Sequence, residues 1–144
     1  MPTVSYNKVN QFVSDLAKGV HNFTAGSTTL KVMLTTTAAA SMSVRSNFAE
    51  IAASGGYTSG GNSASITASA LVSTSIYQLK LADPAQWSAS ASTFPAFQYA
   101  VLYNDTATND PVIGYWDYGS SVALGNGETF NVVFDATNGV LQIS

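Results

Sequence analysis

Short segments in which apolar and polar side chains alternate recur along the chain from residue 30 onwards, with turn-forming residues between them. Successive side chains of a β-strand point to opposite faces, so a period of two is typical of strands with one face in a core. The run at 97–103 is apolar on both faces after Gln98, which predicts a strand in the middle of a sheet. We predict strands at residues 30–37, 77–81, 97–103, 112–119, 129–136 and 140–144.

Turn signals indicate how these strands connect. Asn138-Gly139 separates the last two runs, and Asn-Gly is the strongest short-range signal for a β-hairpin, so we expect these two strands to pair. Several short strands with regular turns and one helix predict a mainly β fold, either an antiparallel β-sandwich or a barrel-like domain. No change in composition marks a boundary, and we expect a single domain over residues 1–144.

One amphipathic helix is predicted before the strands, at residues 8–19. Its apolar side chains share one face and are Val9, Phe12, Val13 and Leu16. Gly19 stands at the position where a helix would end. The stripe would pack on the body of the domain, and an arm that docks on a partner is the alternative. A helical turn is also expected at residues 47–53, where Asn47 and Glu50 have the spacing of a capping box.

Most of the polar side chains are uncharged, which limits the classes of partner that the protein can bind. Charged residues make up 9% of the chain and the net charge is −3, whereas an average domain is about 25% charged. No basic patch would hold nucleic acid, and no apolar run is long enough to span a membrane. The N-terminal segment lacks the pattern of a secretion signal. We therefore expect a protein made in the cytoplasm that binds neither nucleic acid nor membrane.

No catalytic, cofactor or metal site is expected. The chain has no cysteine and a single histidine, His21, which excludes the usual zinc ligand sets and leaves one possible Ser-His-Asp arrangement, without a nucleophile motif. The loop 104–110 could hold a calcium ion but lacks the EF-hand pattern, so we interpret it as a solvated loop. We expect a non-enzymatic protein.

The segment ASGGYTSGGN, residues 53–62, has two glycine pairs around Tyr57: Gly55, Gly56, Gly60 and Gly61. A phosphate-binding loop needs a lysine directly after its last glycine and a helix beyond it. Here Asn62 follows the second pair, the next lysine along the chain is Lys80, and the next segment is strand-like. We predict a turn that glycine permits and that carries Tyr57.

A second candidate segment is YWDY, residues 115–118. On a strand, Tyr115 lies on one face and Trp116 with Tyr118 on the other. Core packing of one face is the interpretation we prefer. An exposed platform for a sugar ring or a neighbouring subunit is the alternative.

Taken in order, several segments resemble small structural proteins of tailed-bacteriophage particles, a group of capsid decoration or cement proteins with some tail components. The order and spacing of the segments carry this resemblance, which covers nearly the whole chain: NKVNQFVSDLAKGVHNF (7–23), EIAASGGYTSGG (50–61), Trp87, AVLYND (100–105), GYWDYGSS (114–121) and GNGETFNVVF (125–134). It implies a decoration protein that binds and stabilises the head shell. A tail or host-recognition component, which binds a surface glycan or forms part of the tail, is the alternative.

The resemblance also implies a location on the virion and partners there. The partners would be further copies of the chain, as a homo-oligomer and most simply a trimer at threefold positions of the shell, and the major capsid protein or another virion protein. It gives two sets of residues a role in the fold or in an interface, and none of them a catalytic role. The first set is Gly55, Gly56, Tyr57, Gly60 and Gly61, and the second is Gly114, Tyr115, Trp116, Asp117, Tyr118 and Gly119.

Overall fold

The computed structural model describes residues 4–90 and 93–144, so residues 1–3, 91 and 92 of the predicted domain lie outside it. The mainly β prediction is confirmed, with 39% of the residues in strands and 6% in helix. In chain order the elements are β1 (Tyr6–Lys8), α1 (Phe12–Ala17), β2 (Leu30–Thr35), a 3-10 turn (Arg45–Asn47), β3 (Asn62–Ser63), β4 (Ile66–Ser73), β5 (Ile76–Leu81), β6 (Trp87–Ser88), β7 (Phe97–Asn104), β8 (Val112–Val122), β9 (Thr129–Phe130) and β10 (Leu141–Ile143).

The largest sheet has five antiparallel strands in the order β1-β8-β7-β2-β3. Strand β7 lies between β8 and β2, and its residues from Ala100 onwards are buried on both faces, as predicted for 97–103. Strand β2 differs from its prediction, because Met33 and Thr35 are as fully buried as Val32 and Leu34. The expected outer face of β2 is therefore covered as well.

A second sheet has three antiparallel strands in the order β10-β5-β4, and β6 pairs with β9 in a two-stranded sheet. Apolar side chains of the two larger sheets belong to one buried cluster, with Val32 and Leu102 from the first and Leu79 and Leu141 from the second. This packing is β-sandwich-like. Within residues 4–90 and 93–144, no helix has the length and apolar character needed to cross a membrane.

The predicted C-terminal hairpin is wrong in its pairing. Strand β10 pairs with β5, and of residues 129–136 only Thr129–Phe130 form a strand, which pairs with β6. Asn138-Gly139 does reverse the chain, since the side chain of Asp135 accepts hydrogen bonds from the backbone N–H groups of Thr137 and Asn138. The N–H of Gly139 donates to the carbonyl of Asp135, and the N–H of Val140 donates to the carbonyl of Leu79, which starts the pairing with β5.

The predicted helix is present but shorter than residues 8–19. Tyr6–Lys8 pair with β8 as a strand, and the helix begins only at Phe12; it ends at Ala17, shortly before Gly19 with its positive φ angle of +73°. A helix of six residues buries only a narrow face. Accordingly Phe12 is buried, Leu16 is half-buried, and Val13 is 53% exposed, while Val9, which precedes the helix, is buried.

The helical turn expected at 47–53 is wrong. The turn forms earlier, at Arg45–Asn47, and the side-chain oxygen of Asn47 accepts hydrogen bonds from the N–H groups of Ser43 and Val44. Glu50 lies in an extended segment that bridges to Thr35 of β2. Glu50 therefore pairs with the edge of the sheet and does not form the helical turn that the capping-box spacing predicted.

Candidate functional site

The glycine and tyrosine segment 55–61 forms the predicted turn. Gly55, Gly56, Gly60 and Gly61 all have positive φ angles between +62° and +107°. At Gly61 a Cβ atom would collide with the carbonyl oxygen of Val32 and the Cα of Met33, because the chain enters β3 directly against β2. At this position glycine is required by close backbone approach as well as by φ.

Tyr57 is buried, and its hydroxyl group connects this turn to β2. It accepts a hydrogen bond from the N–H of Leu34 at 3.2 Å and donates one to Oε1 of Glu50 at 2.8 Å. Burial raises the pKa of Tyr57 well above its usual range, so the hydroxyl keeps its proton. The N–H of Gly60 donates to the same carboxylate oxygen.

Arg45 neutralises the Glu50 carboxylate from the other side. Its Nη2 lies 2.9 Å from Oε2 of Glu50, its Nη1 lies 3.6 Å from a carboxylate oxygen of Asp110, and its guanidinium stands 5.4 Å from the ring centre of Tyr103. The Tyr103 hydroxyl in turn donates to the carbonyl of Gly60 at 2.7 Å. We call Arg45, Glu50, Tyr57, Tyr103 and Asp110 the polar cluster; its polar atoms bind one another and hold the turn in place.

The YWDY residues lie on β8, with the predicted division of faces. Tyr115 packs against Tyr99 of β7, with ring centres 6.2 Å apart. On the other face, Trp116 lies between Tyr6 and Phe134, at 5.5 and 5.7 Å. All four YWDY residues are half-buried.

Asp117 is held by two hydrogen bonds, from Nε2 of Gln98 at 2.9 Å and from the N–H of Gly119 at 2.8 Å. Gly114 lies directly under the ring of Tyr6, where a Cβ would not fit. These residues therefore have a structural role in joining β8 to β7 and β1.

A cleft of about 620 Å³ opens between β7, β8 and the segment 130–140. Its walls are mainly aromatic and aliphatic, and Gln98 and Asp135 supply polar groups. The aromatic residues of the lining are Tyr6, Phe97, Tyr99, Trp116, Tyr118, Phe130 and Phe134. Aromatic rings with a few polar groups are the lining that suits small apolar or sugar-like ligands. The sequence indicated Trp116 and Tyr118, but Phe130 and Phe134 reach the cleft only through the fold.

A row of ring contacts connects the two candidate segments. Tyr57 contacts Phe94 (6.1 Å between ring centres), Phe94 contacts Phe97 (6.0 Å), Phe97 contacts Phe130 (4.7 Å), and Phe130 contacts Tyr118 (6.3 Å). Apart from this row, the segments have different neighbours and form no common site.

His21 is buried between aromatic rings and is stacked on Phe23 at 5.6 Å. The side-chain oxygen of Asn104 accepts two backbone hydrogen bonds, so its amide nitrogen faces Nδ1 of His21, at 3.3 Å. The imidazole proton then sits on Nε2, for which the described residues offer no partner. Burial lowers the pKa of His21, which stays neutral near pH 7.

The loop 104–110 uses its carboxylates within the protein. Asp105 lies 3.1 Å from Nζ of Lys31, and Asp110 belongs to the polar cluster. Within the described ranges 4–90 and 93–144, no three His, Cys, Asp or Glu side chains come together as metal ligands. Both carboxylates are thus engaged in ion pairs with basic side chains of other segments.

The sheet β10-β5-β4 presents an apolar surface that the sequence did not single out. Ile143, Tyr77 and Leu71 are directly paired across its three strands and form a row, in which Leu71 is 69% exposed. Val72 on β4 is 54% exposed. The sequence did contain a sign of this surface, because residues 51–79 include no charged side chain.

Comparison of the chain with protein-family models, with curated proteins and with solved structures finds no match.

Proposed function

We propose that the protein is a non-enzymatic structural component of a tailed-bacteriophage particle, and specifically a capsid decoration protein that binds and stabilises the head shell as an oligomer. The resemblance of the ordered segments to such proteins motivates the proposal. Its partners would be further copies of the chain and the major capsid protein, on the outer surface of the virion.

One structural observation supports an associating protein most directly. The sheet β10-β5-β4 exposes Leu71, Val72 and Ile143, and the first two lie in the segment 51–79, which has no charged side chain. Desolvating such a surface costs little, because few charges have to leave water. Exposed apolar surface of this kind marks sites of protein association.

The candidate polar groups support a non-enzymatic role because they are engaged internally. Glu50 binds Arg45, Tyr57 and the N–H of Gly60, and His21 is buried between Phe12 and Phe23. These groups stabilise the fold where they lie.

The proposal is tested on phage particles from which the gene has been deleted. Purified protein is added to the isolated heads and, separately, to the isolated tails, and bound protein is measured after sedimentation. Saturable binding to heads, with a raised temperature of shell disruption, is expected. Heads that bind no protein would contradict the decoration role.

The aromatic cleft favours a second candidate, a tail or host-recognition component that binds a surface glycan. Trp116 and Tyr118 offer ring faces for stacking, and Gln98 and Asp135 offer hydrogen-bonding groups. Titration of host surface glycans, followed by tryptophan fluorescence, tests it. A saturable change that Tyr118→Ala abolishes would favour this candidate, together with binding to tails in the sedimentation experiment.

A further inference from the structure

Strand β4 is a long free edge. It lies at the end of the sheet β10-β5-β4, and no second strand within residues 4–90 and 93–144 pairs with it besides β5. Its eight residues, Ile66–Ser73, are exposed on both faces apart from the half-buried Ile66 and Ser69. Every second N–H and C=O group of an edge strand points away from its neighbour, so β4 offers a row of backbone groups for pairing.

The usual protections of an edge strand are largely missing from β4. Edges are normally blunted by charged side chains, proline, bulges or covering segments. The sequence ITASALVS has neither charge nor proline. Bulges at Thr67 and Val72 interrupt the register with β5, and between them Ala68–Leu71 keep regular pairing. The regular segment Ala68–Leu71 is therefore the part of the edge open to another strand.

We propose that β4 pairs antiparallel with β4 of a second copy of this chain, around a twofold axis. This inference rests on the proposed function, because it names the contact through which the copies associate. Identical strands related by a twofold axis run antiparallel, which is the more stable pairing. The absence of charge on β4 means that no like charges would face each other across the axis.

The other edge of the same sheet is a poorer partner. Strand β10 has only three residues, and both β10 and β4 are antiparallel to β5. A ring in which β4 of one copy joins β10 of the next would therefore pair parallel strands over a short length. Self-pairing of β4 uses the longer strand and the better geometry.

A twofold axis at Ala70 places Ala70 opposite Ala70 of the second copy and pairs three residues of the regular segment, Ser69–Leu71, with the same three residues of that copy. Leu71 then faces Ser69 of the other copy, and the two Leu71 side chains are diagonal neighbours on one face, within reach of each other. The apolar row Ile143, Tyr77 and Leu71 would continue across six strands. If the β4 contact is the only contact between copies, the protein is a dimer. If the predicted trimer forms through a separate threefold contact, the β4 contact joins two trimers into six copies. The number of copies is even in both cases.

Charge substitution at the axis tests the pairing. Ala70 is exposed in one copy, so Ala70→Lys and Ala70→Glu are compatible with the fold. In the pair, however, each variant would set two like charges against each other. Light scattering is expected to show an even number of copies in the wild-type assembly. The assembly formed by each variant is expected to have half the mass of the wild-type assembly. An equimolar mixture of the two variants is expected to regain the wild-type mass, because Lys then faces Glu.

Ala136→Lys and Ala136→Glu are the matched controls, since Ala136 is exposed in a turn outside the sheet, and both are expected to keep the wild-type mass. An odd copy number in the wild type, or Ala70 variants of unchanged mass, would overturn the pairing. Variants of unchanged mass that no longer bind heads would assign the edge to a strand of another virion protein. Head binding by the wild type is measured separately, so failure of the pairing and failure of the decoration role give different results.

A cross-linking measurement tests the register independently of charge. The chain has no cysteine, so Ala70→Cys introduces a single thiol. Directly opposed residues of antiparallel strands have Cα atoms about 4.5–5.5 Å apart, within the range that a disulfide bridges. Mild oxidation is expected to convert Ala70→Cys to covalent dimer at least tenfold faster than Ala136→Cys. Equal rates would overturn the assignment of Ala70 to the axis.

Discussion

The carboxylate of Glu50 receives hydrogen bonds from three residues in two separate parts of the chain. Arg45 and Tyr57 bind it through their side chains and Gly60 through its backbone N–H. The Glu50 side chain is 16% exposed, so its charge needs these partners. The sequence marked Tyr57 and Gly60 through the glycine pairs, but the role of Glu50 in holding the turn was not apparent from its neighbours.

Tyr57→Phe is expected to lower the free energy of unfolding by about 1–3 kcal/mol, because it leaves the buried N–H of Leu34 and a Glu50 oxygen each short of one partner. Tyr6→Phe is the matched control. The Tyr6 hydroxyl donates only to the neutral carbonyl of Ile113, at 3.1 Å, and a loss of about 0.5–1.5 kcal/mol is expected. Urea unfolding measures both. A cost for Tyr57→Phe no larger than that for Tyr6→Phe would contradict the role given to the Glu50 contact.

His21 is expected to make stability depend on pH. Burial keeps its folded-state pKa below the unfolded value of about 6.5, so the unfolded chain takes up the proton first as the pH falls. The free energy of unfolding should therefore be highest above pH ~6.5 and fall below it, by at most about 1.4 kcal/mol per pH unit for one proton, until the folded-state pKa is reached.

His21→Gln removes this contribution while Asp15, the carboxylate that acts on His21, stays in place. Urea unfolding of both proteins between pH 4.5 and 7.5 gives the difference. We expect the wild type to lose more stability than the variant on acidification. Parallel curves would show that His21 does not titrate differently in the folded and unfolded states.

The strands show which parts of a fold a local pattern can predict. Residues 97–103 are apolar on both faces, and β7 indeed lies in the middle of the sheet. The Asn138-Gly139 turn was also predicted, but the strand after it pairs with β5, because the N–H of Val140 meets the carbonyl of Leu79. A turn motif specifies a reversal of the chain, whereas the pairing partner depends on contacts distant in sequence.

In the candidate site, too, local features could be predicted from the sequence and contacts between distant segments could not. The positive φ angles at 55–61 and the division of faces at 115–118 follow from glycine content and strand periodicity, and both were predicted. The polar cluster and the cleft could not be, because Arg45, Asp110, Phe130 and Phe134 reach them from distant segments.

Gly61→Ala is expected to destabilise the protein more than Gly127→Ala. Both glycines have left-handed φ angles, +72° and +86°. A Cβ at Gly127 would meet open space, whereas one at Gly61 would collide with the backbone of β2. The φ angle alone costs about 1–2 kcal/mol, so that loss is expected at Gly127 and a clearly larger one at Gly61. Thermal unfolding of the two variants compares them, and equal losses would contradict the close packing of the turn on β2.

The surface of the protein combines few charges with an exposed apolar row on one sheet. Few ion pairs can contribute to contacts between copies, so apolar and backbone contacts would hold an assembly together. Such contacts are little affected by salt, whereas surface ion pairs are screened by it. Self-association through the sheet β10-β5-β4 is therefore expected to persist at high ionic strength.

Multi-angle light scattering of the wild-type protein at low and high salt tests this expectation directly. At a few tens of micromolar chain, the same even copy number is expected at about 0.1 M salt and at about 1 M salt, where the Debye length falls from about 10 Å to about 3 Å. A monomer at both salt concentrations would contradict self-association in solution. Dissociation at high salt alone would show that ion pairs, and not the uncharged edge and its apolar row, hold the copies together.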